Sequence, residues 1–153
     1  MFQDTKSLDS PIEDIIQNEP FWPTISINDF VKACRIPPVY NAEQSRNMLI
    51  MTMAGVNVDL TGFQQTAESD GYTSLDEMDN KLRKNKALIS LYKEAIYQRA
   101  KAGLLVHFAT LNQKPEAENL AKESKETHEA LMTNSQRAIR TILGMTMVTV
   151  RLL

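Results

Sequence analysis

Apolar residues recur at spacings of three and four over most of this chain, the period of one buried face of an α-helix. Ser45, Met48, Leu49, Thr52, Met53, Val56, Leu60 and Phe63 form such a stripe. They predict a helix running to about Ala67, opened by Asn41 with Gln44 as a variant capping box. Met51, Ala54 and Val58 widen the stripe, so this helix is expected to be covered on more than one side. Gly55 and Gly62 inside it are read as places where another helix comes close. From Ala87 to about Leu111 two stripes run side by side. Leu88, Leu91, Ala95, Ala102, Val106 and Ala109 make one; Tyr92, Ile96, Ala100, Gly103 and His107 make the other. That pattern predicts a central helix packed by two neighbours, with small residues at its crossings.

Thinner signals fill the rest. Ser26 or Asn28 can cap a short helix to about Cys34, with Phe30 and Val31 inward and Pro37-Pro38 ending it. Asp70-Gly71 marks a turn, and Ser74 with Glu77 caps a single turn through Asp79. After a cap at Asn112, the residues Ala117, Leu120, Ala121, Ser124, His128, Leu131, Ser135, Ala138 and Ile142 predict a surface helix. Its opposite face, including Glu116, Glu118, Lys122, Glu123, Lys125, Glu126 and Glu129, lies in water.

Two stretches depart from the helical period. Residues 1–20 are polar and acidic, bounded by Pro11 and Pro20, and predict a flexible arm. Gly144 is read as a helix stop, and Met145 to Leu153 is β-branched and loosely alternating, which reads as a strand. A lone strand leaves its backbone groups unpaired, so pairing with a neighbouring subunit's sheet edge is expected. The fold class is therefore mainly α: a bundle of about four helices at 21–143, with an arm at 1–20 and a strand tail at 144–153 for docking. Phe21-Trp22-Pro23, directly after the arm, is an apolar patch with two roles open to it. It can dock onto the chain's own core or anchor a partner.

Composition narrows the function more than the fold. The chain has 153 residues, 42% hydrophobic and 24% charged, the balance of one globular domain. A net charge of −2 gives no sign of a nucleic-acid or anionic-membrane binder. The ends differ, however. Asp4, Asp9, Glu13, Asp14 and Glu19 stand against Lys6 at one end, while Arg137, Arg140 and Arg151 stand without an acid from Met132 to Leu153. No run reaches the ~20 apolar residues of a membrane span, and the N-terminal residues lack the apolar core of a signal peptide. Cys34 is the single cysteine, which fits a reducing cytoplasm.

Catalytic chemistry finds no positive support. His107 and His128 lie on different predicted helices, neither in a Glu-x-x-His pattern, and no metal spacing, phosphate loop or serine elbow occurs. The carboxylates sit mostly on polar faces, where ordinary pKa values are expected. The chain reads as a non-enzymatic assembly protein without catalytic, cofactor or metal residues.

Several pieces in order carry a resemblance: Phe21-Trp22-Pro23, then Asn57-Val58-Asp59-Leu60, then Gly71 and Leu75. After them come the run Leu91 to Ala102, with its Tyr-x-x-Ala-Ile-Tyr-x-x-Ala core, and Arg137-Ala138-Ile139-Arg140. Over residues 21–153 this order resembles the head-completion, or head–tail connector, proteins of tailed bacteriophages. The resemblance implies a homo-oligomeric ring, typically of twelve copies, beneath the portal protein. Such a ring would extend the DNA channel without sequence-specific binding and receive a stopper, tail terminator or other neck protein. It implies a virion neck component assembled in the host cytoplasm, with the acidic arm reaching a neighbouring subunit. The residues expected to contact the portal or a neighbour are Phe21, Trp22, Arg137, Arg140, Met145, Met147, Val148, Val150 and Arg151. The alternative is a small helical DNA-packaging or adaptor module like a terminase small subunit, with a basic helix face that binds DNA.

Overall fold

The computed structural model describes residues 13–82, 86–112 and 127–151, with six helices and one two-stranded sheet among them. The strands are β1 (Ile15–Ile16) and β2 (Ile25–Ser26), antiparallel, with Ile16 opposite Ile25. Residues 13–20, read from sequence as part of the arm, thus join the domain, and residues 1–12 lie outside the described residues. Asp14 ties this segment down by accepting hydrogen bonds from the Ser26 hydroxyl (2.6 Å) and the Asn28 amide (2.7 Å).

α1 (Ile27–Ala33) is capped by Ser26, whose hydroxyl accepts from the Asp29 amide. α2 (Ala42–Asp59) opens with the expected capping box: Asn41 Oδ1 accepts from the Gln44 amide and Gln44 Oε1 from the Asn41 amide. The single helix expected to Ala67 is interrupted at Leu60, and α3 (Thr61–Ser69) follows directly. Thr61 contributes to the break. Its hydroxyl donates to the Asn57 and Val58 carbonyls, competing with the backbone ladder. Phe63 and Ala67 keep the three-four spacing of Val56 and Leu60 and are buried in the core.

Gly71 ends α3 in the left-handed region at φ +96°. The Tyr72 and Gly71 amides donate to the Ala67 and Glu68 carbonyls, a Schellman arrangement that satisfies the helix's last acceptors. α4 (Leu75–Leu82) follows the Ser74 cap and extends a turn beyond the sequence reading.

α5 (Ala87–Asn112) is the central helix. It packs against α6 (His128–Arg151), α2 and α4, as its two adjacent stripes require. Tyr92, Ala95, Ile96, Ala100, Ala102 and Leu104 on α5 are buried. The crossing with α6 is close because both sides are small. Ser135 donates to the Ala95 carbonyl at 2.6 Å, and Ala138 lies buried on the same face of α6. Gly103 meets α2, where an added Cβ would fall 2.5 Å from Met48 Sδ. Gly55 instead faces the Arg99 side chain, and Gly62 faces open space, so close helix approach belongs to Gly103.

The C-terminus departs from the expected strand. Gly144 does not stop α6, and Met145 to Arg151 is helical, with no strand there. Leu131, Ser135, Ala138, Ile142 and Met145 keep the three-four spacing, with Met145 packed against the core, so α5 templates a continuing helix. Intrinsic β-preference spans only about 1 kcal/mol and yields to packing of this kind. The proposed addition to a neighbour's sheet edge loses its premise. Residues 113–126, read as the start of the surface helix, lie outside the described residues.

Candidate interaction surface

Phe21 and Trp22 do not lie on a surface. They are 3% and 4% exposed, which corrects the partner-anchor reading among the described residues. Trp22 stacks on Tyr92 at 4.7 Å and 9°, and Phe21 meets the indole edge-on at 4.8 Å. Its indole N–H donates to Gln64 Oε1. Beneath the stack, Tyr92 donates to Asn57 Oδ1 (2.6 Å) and accepts from Asn18 Nδ2 (2.8 Å), while Asn57 Nδ2 donates to Asn18 Oδ1 (3.0 Å). Burial pushes the Tyr92 phenol well above its ordinary range, so it stays a donor. Burial, then the bond to Asp29, raise Tyr97 likewise.

These contacts explain the motif residues. Tyr92, Ala95, Ile96, Tyr97 and Ala100 of the α5 run are all buried, Asn57 closes the network, and Asp59 pairs with Arg99 at 3.0 Å. The motif specifies the core of the fold. Asn18, which joins the N-terminal segment to α2 and α5, was invisible to periodicity because it stands in a short polar stretch without a helical neighbour.

Among the described residues, no group of three or more His, Cys, Asp or Glu side chains could hold a metal ion. Cys34 is buried, while His107 and His128 are exposed, the latter at the start of α6 rather than on its buried stripe. No helix among the described residues is long and apolar enough to cross a membrane.

Among the described residues, two carboxylates depart from the ordinary range. Glu77 is lowered from 4.5 to about 2, chiefly by the Thr73 hydroxyl and then Lys81, with the Thr73 amide adding to it. Asp14 is lowered by the Ser26 hydroxyl and the Asn28 amide. A lowered folded-state pKa stabilises the fold above the unfolded value, and that stabilisation is lost as pH falls through the folded value. For Glu77 the window runs from 4.5 down to about 2. An NMR titration of its side-chain carboxyl should have its midpoint near 2. Thr73→Val, which removes the hydroxyl donor, should move that midpoint upward.

The exposed face of α6 carries Thr133, Gln136, Arg137, Arg140, Thr141 and Leu143. No acidic residue occurs from Ala130 to Leu153. Because the segment is helical, Val148 and Arg151 continue the three-four spacing of Arg137, Arg140, Thr141 and Gly144. Met147 falls beside that line and Val150 off it. Met145 turns inward, so among the expected contact residues it serves the core. On α2, the residues Asn47, Ile50, Met51, Ala54 and Val58 are exposed; for Met51, Ala54 and Val58 this is contrary to the expectation that a neighbour covers them.

These features define a mainly helical domain organised on one buried helix, with a flanking helix that carries arginines and no acid beyond its first turn. The family model described as "Phage head completion protein (GPL)" matches residues 16–153, and the chain belongs to that family. It is 29% identical over 133 residues to a "Probable head completion/stabilization protein" of Haemophilus phage HP1 (strain HP1c1), covering 86% of this chain and 87% of that one. No solved structure matches.

Proposed function

We propose that this chain is a structural, non-catalytic connector of the phage neck. Copies of it form a ring, of about twelve as the resemblance implies, beneath the portal; the ring extends the DNA channel and receives the next neck protein. Family membership supports the head-completion role. The observation that carries the docking mode is the acid-free line of Arg137 and Arg140 on the outer face of α6, continued in sequence by Val148 and Arg151. Such a line suits an acidic, partly apolar groove on the portal, engaged by a helix and not by an added strand. Partner contact is thus assigned to Arg137, Arg140, Met147, Val148 and Arg151. The chain's net charge of −2 suits passage of DNA, which a strongly basic lumen would retain. The protein would then reside in the virion after assembly in the host cytoplasm.

Electron microscopy of the full chain mixed with its portal tests this directly. A ring seated on the portal is expected, and the double substitution Arg137→Glu with Arg140→Glu should weaken binding by about a hundredfold while leaving the helical content unchanged. Binding unaffected by the double reversal would remove α6 from the interface. Tight, steeply salt-dependent binding to duplex DNA, lost in the same variant, would instead favour the DNA-packaging module.

A further inference from the structure

We infer that the outer face of α2 receives the N-terminal segment of a second copy of this chain, an inference that rests on the assembly role and names one of its contacts. From Asn47 to Val58 every exposed side chain on α2 is uncharged, in a chain with 24% charged residues. Met51 and Val58 stand 70% and 71% exposed, with Ile50 and Ala54 beside them. A contiguous apolar strip of this kind on a helix marks a contact surface.

Arginines border the strip on both sides. Arg46 lies one helical turn before Ile50, and Arg99 of α5 lies against Gly55, with Nη1 3.5 Å from the position of an added Cβ. Neither guanidinium is fully engaged in its own chain. Arg46 Nη1 and Arg99 Nε are buried without an acceptor, although Arg99 also pairs with Asp59. Small side-chain shifts toward incoming carboxylates would satisfy both groups.

The matching pattern stands elsewhere on the chain. Around β1, Ile16 turns inward while Glu13, Ile15, Gln17 and Glu19 are exposed, an acid–apolar–polar–acid series. No ion pair among the described residues engages Glu13 or Glu19. The outward series spans about 20 Å as extended chain and the α2 strip about 16 Å as helix, so the two are commensurate. Seated on the strip, Ile15 covers Met51 and Ala54 while the glutamates reach the bordering arginines. The two patches are different, so the contact is heterologous and can repeat from copy to copy.

Sedimentation velocity on the full chain over a concentration series tests the surface. The double substitution Met51→Lys with Val58→Lys should weaken self-association by about tenfold or more. Its circular dichroism and thermal midpoint should match the parent, because both positions are exposed. Mixing an Ile15→Cys copy with a Met51→Cys copy under mild oxidation should give the mixed disulfide dimer. A parent chain that stays monomeric overturns the inference, as does self-association indifferent to the lysines or cross-linking confined to Met51→Cys pairs. Portal binding that survives any of these results leaves the connector role standing. Portal binding that persists in the α6 variant, with self-association intact, removes the α6 docking mode and not this contact.

Discussion

Replacing Trp22 with alanine is expected to destabilise the fold by about 4 kcal/mol, the range for removing a fully packed aromatic. The indole is 4% exposed, stacked on Tyr92, and 6.2 Å from Phe63 at 25°. Loss of the N–H bond to Gln64 adds to the lost packing. Domains of this size are stable by only about 5–15 kcal/mol, so the variant should lie near the edge of folding. Urea denaturation should show a lower midpoint with an unchanged slope. Trp22→Phe keeps the stacked ring and should recover more than half of the loss. A change below about 1 kcal/mol in the alanine variant would mean that the side chain is not packed as described, and would return it to the pool of partner anchors.

Asp79→Ala should cost about 3 kcal/mol, more than an ordinary helix cap, because two amides are orphaned away from water. Asp79 is 0% exposed. It reaches from α4 to the start of α5, where its two oxygens accept from the Leu88 amide (2.9 Å) and the Ile89 amide (2.8 Å). A negative charge there also complements the positive end of the helix dipole. The approach is set by Lys86, which holds a left-handed φ of +56° immediately before α5. Asp79→Asn keeps one acceptor and should lose about half as much. Native-state hydrogen exchange would read the local effect as faster exchange at Leu88 and Ile89. If the alanine variant stayed within about 0.5 kcal/mol of the parent, the cap would be ruled out as a stabilising element.

Local caps and periods were legible in the residues themselves. Asn41 with Gln44, Ser26, Ser74 and the Gly71 turn act within a few residues of the amides and carbonyls they serve, so their spacing alone identifies them. The double stripe of α5 predicted a central helix because burial on two sides leaves apolar residues on two faces. Asp79 could not be read the same way. It caps a helix that starts eight residues later in the chain, and only the fold brings it there.

The contact surfaces divide in the same manner. Arginines without acids near the C-terminus were visible from composition, and so was the acidic bias of the N-terminus. That Arg137 and Arg140 share an exposed helical line, while Met145 turns inward, was not. Side-chain preference over a few residues favours a strand at Met145 to Leu153, whereas the observed helix to Arg151 follows from packing against α5, residues far away in sequence. Met51 and Val58 show the converse: their apolar character suggested burial, but no other described element covers that side of α2.

The order of residues by itself determined a mainly helical chain, its central helix, and the phage head-completion motifs, because these depend on spacing along one backbone. Which apolar residues became core and which stayed in water was decided by tertiary structure, since burial depends on what else arrives at a face. The same holds for the Asn18–Asn57–Tyr92 network and the helical C-terminus. Each requires a partner that only folding supplies.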